Sequence, residues 1–250
     1  MKLLENKIAL VTGAGSGIGR AVALLFAAEG ASVVVSDINQ PGGHETVSQI
    51  RSNGGEAIFS EADTAIATDH QLLVQQTVDH YGSLHLVCNN AGIAGPFAPT
   101  GEYTIEAWDK VIAVNLSGVF YGMRYQLPAL LASGGGSIVN MGSILSSVAT
   151  KGSPAYVAAK HGLVGLTKAA ALEYADKNIR INSVGPGYIL TPLLTNALEE
   201  TTLQAIAGLH PIGRLGRSEE VAELVLWLSS SRSSFVTGAY YTVDGGYTAQ

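Results

Sequence analysis

Short apolar runs rich in β-formers alternate with helix-period segments from one end of this 250-residue chain to the other. Ile8–Val11, Ser32–Ser36, Ala57–Phe59, Leu84–Cys88, Ser137–Asn140, Ile179–Val184 and Tyr240–Val243 read as strands. Between them, Gly17–Glu29, Gly43–Asn53, Ala67–Tyr81, Ile105–Leu131, Pro154–Asp176 and Ser218–Ser229 read as helices. Near-continuous apolar strands separated by helices belong to a parallel sheet covered on both faces. Right-handed crossovers then give a doubly wound α/β fold with seven parallel strands. No linker, repeat or low-complexity tract divides the pattern, so residues 1–250 are expected to form one domain.

Roughly 70–75% of the unfolded surface of a chain this long can be buried, so neither disulfide nor metal is needed to hold it. The one cysteine, Cys88, sits in an apolar run and reads as a buried, inert thiol rather than a nucleophile. The six histidines show no metal-ligand spacing. A net charge of −6 and the absence of basic clusters argue against a nucleic-acid partner. The first residues lack a signal peptide's apolar stretch, and no run approaches the 18 or so apolar residues that cross a membrane. The default location is the cytoplasm. Charged residues make up only 14% of the chain, which suggests that other subunits cover part of the surface.

The first strand runs into Thr12-Gly13-Ala14-Gly15-Ser16-Gly17-Ile18-Gly19, followed by an amphipathic helix. Glycines here let backbone approach a pyrophosphate and bring the partial positive charge of a helix N-terminus beside it. Strict G-x-G-x-x-G spacing is not met; Gly13, Gly17 and Gly19 carry the pattern, and a plain glycine-rich turn is the bland alternative. Asp37 ends the second strand, where an acid can bind both ribose hydroxyls of an adenosine, or simply face solvent in a turn. No Arg or Lys occurs in Ser32–Asn39 to neutralise a 2′-phosphate. Two like charges about 4 Å apart repel by roughly 4 kcal/mol at an effective dielectric of 20, which favours NAD over NADP.

Ser153-Pro154-Ala155-Tyr156 opens a helix, with Ser153 at the N-cap and Pro154 in the first turn. Tyr156 and Lys160 are four residues apart and share a face. They could be an ordinary surface pair. An ammonium about 4 Å from a phenol can instead supply the roughly 4 kcal/mol that brings it near neutrality, as a general acid/base requires. Ser143 lies just past the fifth strand, able to donate to a substrate oxygen or merely to cap a turn. Asn89-Asn90-Ala91-Gly92 follows the fourth strand at the same edge. Asn115 is a poor helix former inside a predicted helix, either tolerated at the surface or holding a distortion and a water near the site.

These motifs, together with Asp63, Pro186-Gly187 and Val243-Asp244-Gly245-Gly246, stand in the order in which the chain resembles the short-chain dehydrogenase/reductase family. The resemblance implies a Rossmann-type, nicotinamide-dependent oxidoreductase. It implies that Tyr156 is the acid/base, that Ser143 orients the substrate oxygen, and that Lys160 binds the nicotinamide ribose and lowers the tyrosine. Asn115 would keep a water in a proton relay from Lys160 to solvent. The cofactor set implied is Gly13, Ser16, Gly17, Ile18, Gly19, Asp37, Asp63, Asn89, Ala91, Gly92, Tyr156, Lys160, Pro186, Gly187, Ile189 and Thr191. Asp63 would meet the adenine, Asn89 and Gly92 the adenosine side, and Pro186, Ile189 and Thr191 the nicotinamide. The family implies a homotetramer, and the C-terminus resembles members that bind structural Mg²⁺ near the terminal carboxylate, here that of Gln250. No catalytic metal is expected. Tyr156–Asp176, Arg180–Val184 and His210–Gly216 look particularly like cyclohexanol-type secondary alcohol dehydrogenases, although Gly185 stands where some such relatives carry a histidine.

Leu190–His210 breaks the regular alternation and reads as a substrate lid. Ser143, Leu145, Tyr156, Tyr188 and Leu194 are the candidate substrate contacts, in a wall that also takes in Ile93, Ala94, Ile144, Leu193, Leu198, Leu203 and Ile206. No Lys or Arg occurs between Arg180 and Arg214 to hold a phosphate or carboxylate, so a neutral, fairly hydrophobic ketone or secondary alcohol is expected. The competing readings are an NADPH-dependent 3-oxoacyl-carrier-protein reductase, a steroid or sugar dehydrogenase, and a catalytically silent NAD-sensing protein.

Overall fold

In a computed structural model of the chain, residues 2–196 and 199–250 are described. Seven parallel strands, β1 (Ile8–Thr12), β2 (Ser32–Asp37), β3 (Glu56–Glu61), β4 (Leu86–Asn89), β5 (Gly136–Met141), β6 (Ile179–Pro186) and β7 (Tyr240–Val243), form one sheet in the order β3-β2-β1-β4-β5-β6-β7. The chain winds outward from β1 in one direction and from β4 in the other. Reversal of the winding between β1 and β4 opens a crevice at their carboxyl ends, the usual ligand position in such sheets.

Period-two alternation along the strands divides the core in two. Ala9, Val11, Val33, Val35, Cys88 and Met141 face one side. There they pack with α1 (Gly17–Ala28), α2 (Gln40–Ser52) and α9 (Ser218–Ser229) through Val22, Phe26, Val47, Ile50, Val221 and Val225. Leu10, Val34, Val87 and Ile138 face the other side. Their partners are α3 (Ala67–Tyr81), α5 (Gly118–Ala132) and α6 (Pro154–Tyr174), through Leu73, Val119, Leu130 and Leu163. Cys88 lies wholly inside, and burial pushes its thiol up to about 12, which makes it inert at neutral pH.

The structure departs from the sequence reading chiefly in three places, and α2 also begins three residues earlier than expected, at Gln40. The single helix expected over Ile105–Leu131 is α4 (Ile105–Ile112) and α5 joined by a π-helical turn, Ala113–Ser117, around Asn115. Ser153 occupies the N-cap of α6 but makes no side-chain capping bond; Pro154 in the first turn sets the entry instead. The segment 190–210 contains two short helices, α7 (Pro192–Thr195) and α8 (Glu200–Ala207). Leu198, expected in the substrate wall, lies outside the described residues. No helix among the described residues is long and apolar enough to cross a membrane.

Candidate active site

The loop between β1 and α1 is a cradle made of backbone. Gly17 adopts φ +53°, a conformation that side chains disfavour, and Thr191 packs across it from the loop after β6. A Cβ on Gly19 would overlap the Gly13 carbonyl, so only glycine lets α1 begin this close to the loop. Ser16 stands at the N-cap of α1 without a side-chain capping bond, and the first helical amides are left for another acceptor. Asp37, at the end of β2, accepts from Gly15 N at 2.8 Å and from Asn39 N at 2.8 Å, which aims its carboxylate along the rim of the loop. Unpaired helical amides beside a fixed acid suit a diphosphate and a ribose diol, so the residues present fit a dinucleotide.

Arg20 adds a contact that the strand-end pattern did not reveal. Its guanidinium donates to the Gly15 and Gly42 carbonyls and to Thr46 Oγ1, and it pairs with Glu45 at 2.9 Å. A cation therefore stands at the glycine loop, already matched by a carboxylate. Across the crevice, Asn90 donates to the carbonyls of Thr12 and Gly13 at 3.0 and 3.1 Å, tying the end of β4 to the loop. Asn89 turns inward: its amide is spent on Gln126 and Asn140, and only its main chain is left for a ligand. Asp63 accepts from Ala65 N at 2.9 Å, closing the turn after β3 at the same sheet edge.

The chemical end draws on four separate elements. Ser143 follows β5 in extended backbone, nearly buried, and its Oγ accepts from Leu145 N at 3.2 Å. It thus caps the short turn Ile144–Ser146 while facing Tyr156, so the two readings of this serine are compatible. Lys160, one turn along α6, is 4% exposed; its Nζ donates to the Met141 carbonyl at 2.7 Å and lies 5.5 Å from the centre of the Tyr156 ring. Asn115 is fully buried in the π turn. Its amide donates to Ile93 O at 2.8 Å and accepts from Ile93 N at 3.0 Å, pairing like a backbone strand with the segment after Gly92. A Cβ on Gly92 would lie 2.7 Å from Asn115 Oδ1 and 3.8 Å from Lys160 Nζ, which puts these groups around one point.

The electrostatics differ from the sequence expectation. Lys160 was expected to draw the phenol toward neutrality, yet burial raises Tyr156 above its ordinary value, with the nearby Ser143 hydroxyl opposing and the Tyr188 phenol reinforcing the rise. The same burial pulls Lys160 down to about 8. Desolvation wins because burial disfavours the charged form of each group, the phenolate and the ammonium, and the ammonium is bonded to a carbonyl rather than to the phenol. Although Tyr156 as a residue is partly exposed, the protein around its hydroxyl sets this balance.

On the substrate side, Leu145 is buried, Leu194 partly exposed, and Leu193 58% exposed. Ile189 lies buried beneath the loop and bridges Gly216. Pro186 ends β6, and Gly187 N donates to Val243 O at 2.9 Å. Tyr188 packs edge-on against His210 and Tyr247, at 5.8 and 6.0 Å between ring centres, beside a cavity of about 170 Å³. The reading of the sequence gave His210 no role. Its ring is buried, accepts from Tyr188 N at 3.2 Å and faces Ile206 O at 3.0 Å, joining the end of α8 to the loop after β6. Those partners fix the proton on Nδ1. A histidine amid apolar lid residues was the available signal, but its partners depend on tertiary structure.

Residues 13–248 match the family model described as enoyl-(acyl carrier protein) reductase. The chain is 54% identical to the cyclohexanol dehydrogenase of Acinetobacter sp. (strain SE19), over 98% of this chain and 96% of that protein. The structure of levodione reductase superposes with a TM-score of 0.96 at 33% identity, covering 98% of this chain and 99% of that one. A 2-deoxy-d-gluconate 3-dehydrogenase candidate from Agrobacterium tumefaciens, with bound NADP, superposes at 0.90 with 38% identity over 99% and 98% of the two chains. Sequence, sheet order and relatives agree that the chain belongs to the short-chain dehydrogenase/reductase family, as an oxidoreductase.

Proposed function

We propose that this protein moves a hydride between NAD(H) and a neutral, hydrophobic, cyclic secondary alcohol or its ketone, with Tyr156 as acid and base. The observation that carries the reading is the Tyr156 phenol beside the Ser143 hydroxyl, with buried Lys160 Nζ 5.5 Å from its ring. Bound NAD(H) accepts or supplies the hydride. In reduction, Ser143 donates a hydrogen bond to the carbonyl oxygen, and Tyr156 gives up its proton as negative charge grows there. In oxidation, the Tyr156 phenolate takes the hydroxyl proton. Because burial favours the neutral phenol, the unliganded protein is poised for reduction, and alcohol oxidation should accelerate as pH rises. Lys160 would hold the nicotinamide ribose, and Asn115 would anchor the route by which the proton is replaced.

Asp37 at the loop rim supports NAD, since its carboxylate would repel a 2′-phosphate. Glu45 supports it further by matching the charge of Arg20, the nearby cation. The substrate class rests on the named activity of the Acinetobacter relative and on the absence of Lys or Arg between Arg180 and Arg214. An NADPH-linked reductase is the second reading, favoured by the NADP in the Agrobacterium structure. Trp108, Phe120, Leu131 and Leu172 expose apolar surface on the central helices, which supports a homotetramer built through them.

The test is turnover of cyclohexanone, 4-methylcyclohexanone and an acetoacetyl thioester with NADH and with NADPH. The reading expects cyclic ketones with NADH to give the highest kcat/KM. Equal or faster rates with NADPH would remove the Asp37 argument, and preference for the thioester would favour a carrier-protein substrate.

A further inference from the structure

The turn that carries Ser143 is bonded within itself. Ser146 N donates to the Ser143 carbonyl at 2.9 Å, and Ser143 N donates to Ser146 Oγ at 3.2 Å. Another contact reaches the same carbonyl from the edge of the sheet. Tyr240, the first residue of β7, donates its hydroxyl to Ser143 O at 2.6 Å, across 97 positions of sequence. Tyr240 pairs with Ser183 of β6, and its ring leans along that strand to lie over Gly185, two residues on and therefore on the same face. There is no spare room. A Cβ on Gly185 would stand 2.5 Å from two ring carbons of Tyr240 and closer still to its hydroxyl oxygen. The missing side chain at 185 and the large one at 240 are matched: one makes the space, and the other crosses it to the catalytic turn.

We propose that Tyr240 is a positioning residue for the reaction, whose hydroxyl, admitted by Gly185, fixes the Ser143 carbonyl and through it the direction of Ser143 Oγ. An O–H···O contact of 2.6 Å is at the short end of the usual range, and it holds the residue that donates to the substrate oxygen. Small displacements of such a donor weaken it where charge develops, so the orientation of Ser143 bears on rate more than on binding. Burial keeps the Tyr240 phenol above its ordinary range, against the opposing Ser147 hydroxyl, so the donor keeps its proton at neutral pH.

This inference rests on the proposed role of Ser143, and the experiment separates the two. Tyr240→Phe keeps the ring and removes only the hydroxyl. It is compared with Ser143→Ala and with the double variant, using NADH and whichever ketone of the panel is turned over fastest. Tyr240→Phe is expected to lower kcat about tenfold while KM and the NADH Kd stay within about twofold. In the Ser143→Ala background the same change should alter kcat by less than about twofold, because the group it positions is gone. Gly185→Ala, which must push the ring off the carbonyl, should reproduce the kcat loss. Full kcat in Tyr240→Phe, or an equal loss in both backgrounds, would overturn the proposal. An unchanged kcat in Ser143→Ala would instead overturn the reading of the site on which it stands.

Discussion

The glycine loop, residues 13–19, and the segment proposed as a lid, residues 190–210, flank one crevice and are built in contrasting ways. The loop is backbone packed on backbone: Gly19 against the Gly13 carbonyl, Asn90 bonded to Thr12 and Gly13, Ala14 N donating to Ser36 O at 3.0 Å. The lid shows side chains to solvent, with Leu190 54% and Leu193 58% exposed, and is fastened at its ends by Leu190 N to Gly216 O and by the His210 ring. A diphosphate demands a fixed shape from whichever chain binds it, whereas an apolar substrate asks only for area. Tolerance of substitution should therefore fall steeply from lid to loop.

Gly19→Val tests the stiff side. With no room for a Cβ, the variant should lose NADH affinity on the order of a hundredfold, measured by fluorescence titration. Near-normal affinity would mean that the loop yields, and the contrast would fail. Asp37→Ser keeps the loop and removes its charge; the NADH-over-NADPH preference in kcat/KM should fall about thirtyfold.

Lys160 belongs to neither region. Burial lowers its ammonium from 10.5 to about 8, so the folded protein holds fewer protons than the unfolded chain over that interval, and stability rises with pH there. A buried charge of this kind costs roughly 3 kcal/mol at neutral pH. Lys160→Met should consequently raise Tm by about 5 °C at pH 7, with the gap narrowing toward pH 10, while activity is lost. An unchanged or lower Tm would show that the ammonium is better solvated than its 4% exposure suggests. The smallest effect is expected on the lid: Leu194→Ala should raise KM for a cyclic ketone about threefold and leave NADH binding as it was.

The same contrast governs what could be read from sequence. The helices Ala67–Tyr81 and Ser218–Ser229 have the bounds their periodicity predicts, because apolar spacing is a local signal. The place of the glycine loop between β1 and α1, and of Asp37 at the end of β2, was legible for the same reason. The π turn was legible in part: Asn115, a poor helix former at that place, left a helix distortion open against a tolerated surface residue, and the bonds to Ile93 show why the helix widens there. Contacts such as His210 to Tyr188 and Tyr240 to Ser143 join segments whose register no local pattern specifies. The direction in which Tyr156 shifts depends on burial, and four-residue spacing carries no information about that.

The central claim is that the Tyr156 hydroxyl transfers the proton, and that removing this one hydroxyl leaves the rest of the cofactor contacts in place. The most direct measurement is kcat of Tyr156→Phe with NADH and the fastest ketone of the panel, alongside its NADH Kd and Tm. Removing one hydroxyl should cut kcat by about a thousandfold, with Kd within about threefold and the fold intact. A variant that binds NADH normally and keeps wild-type kcat would contradict the account.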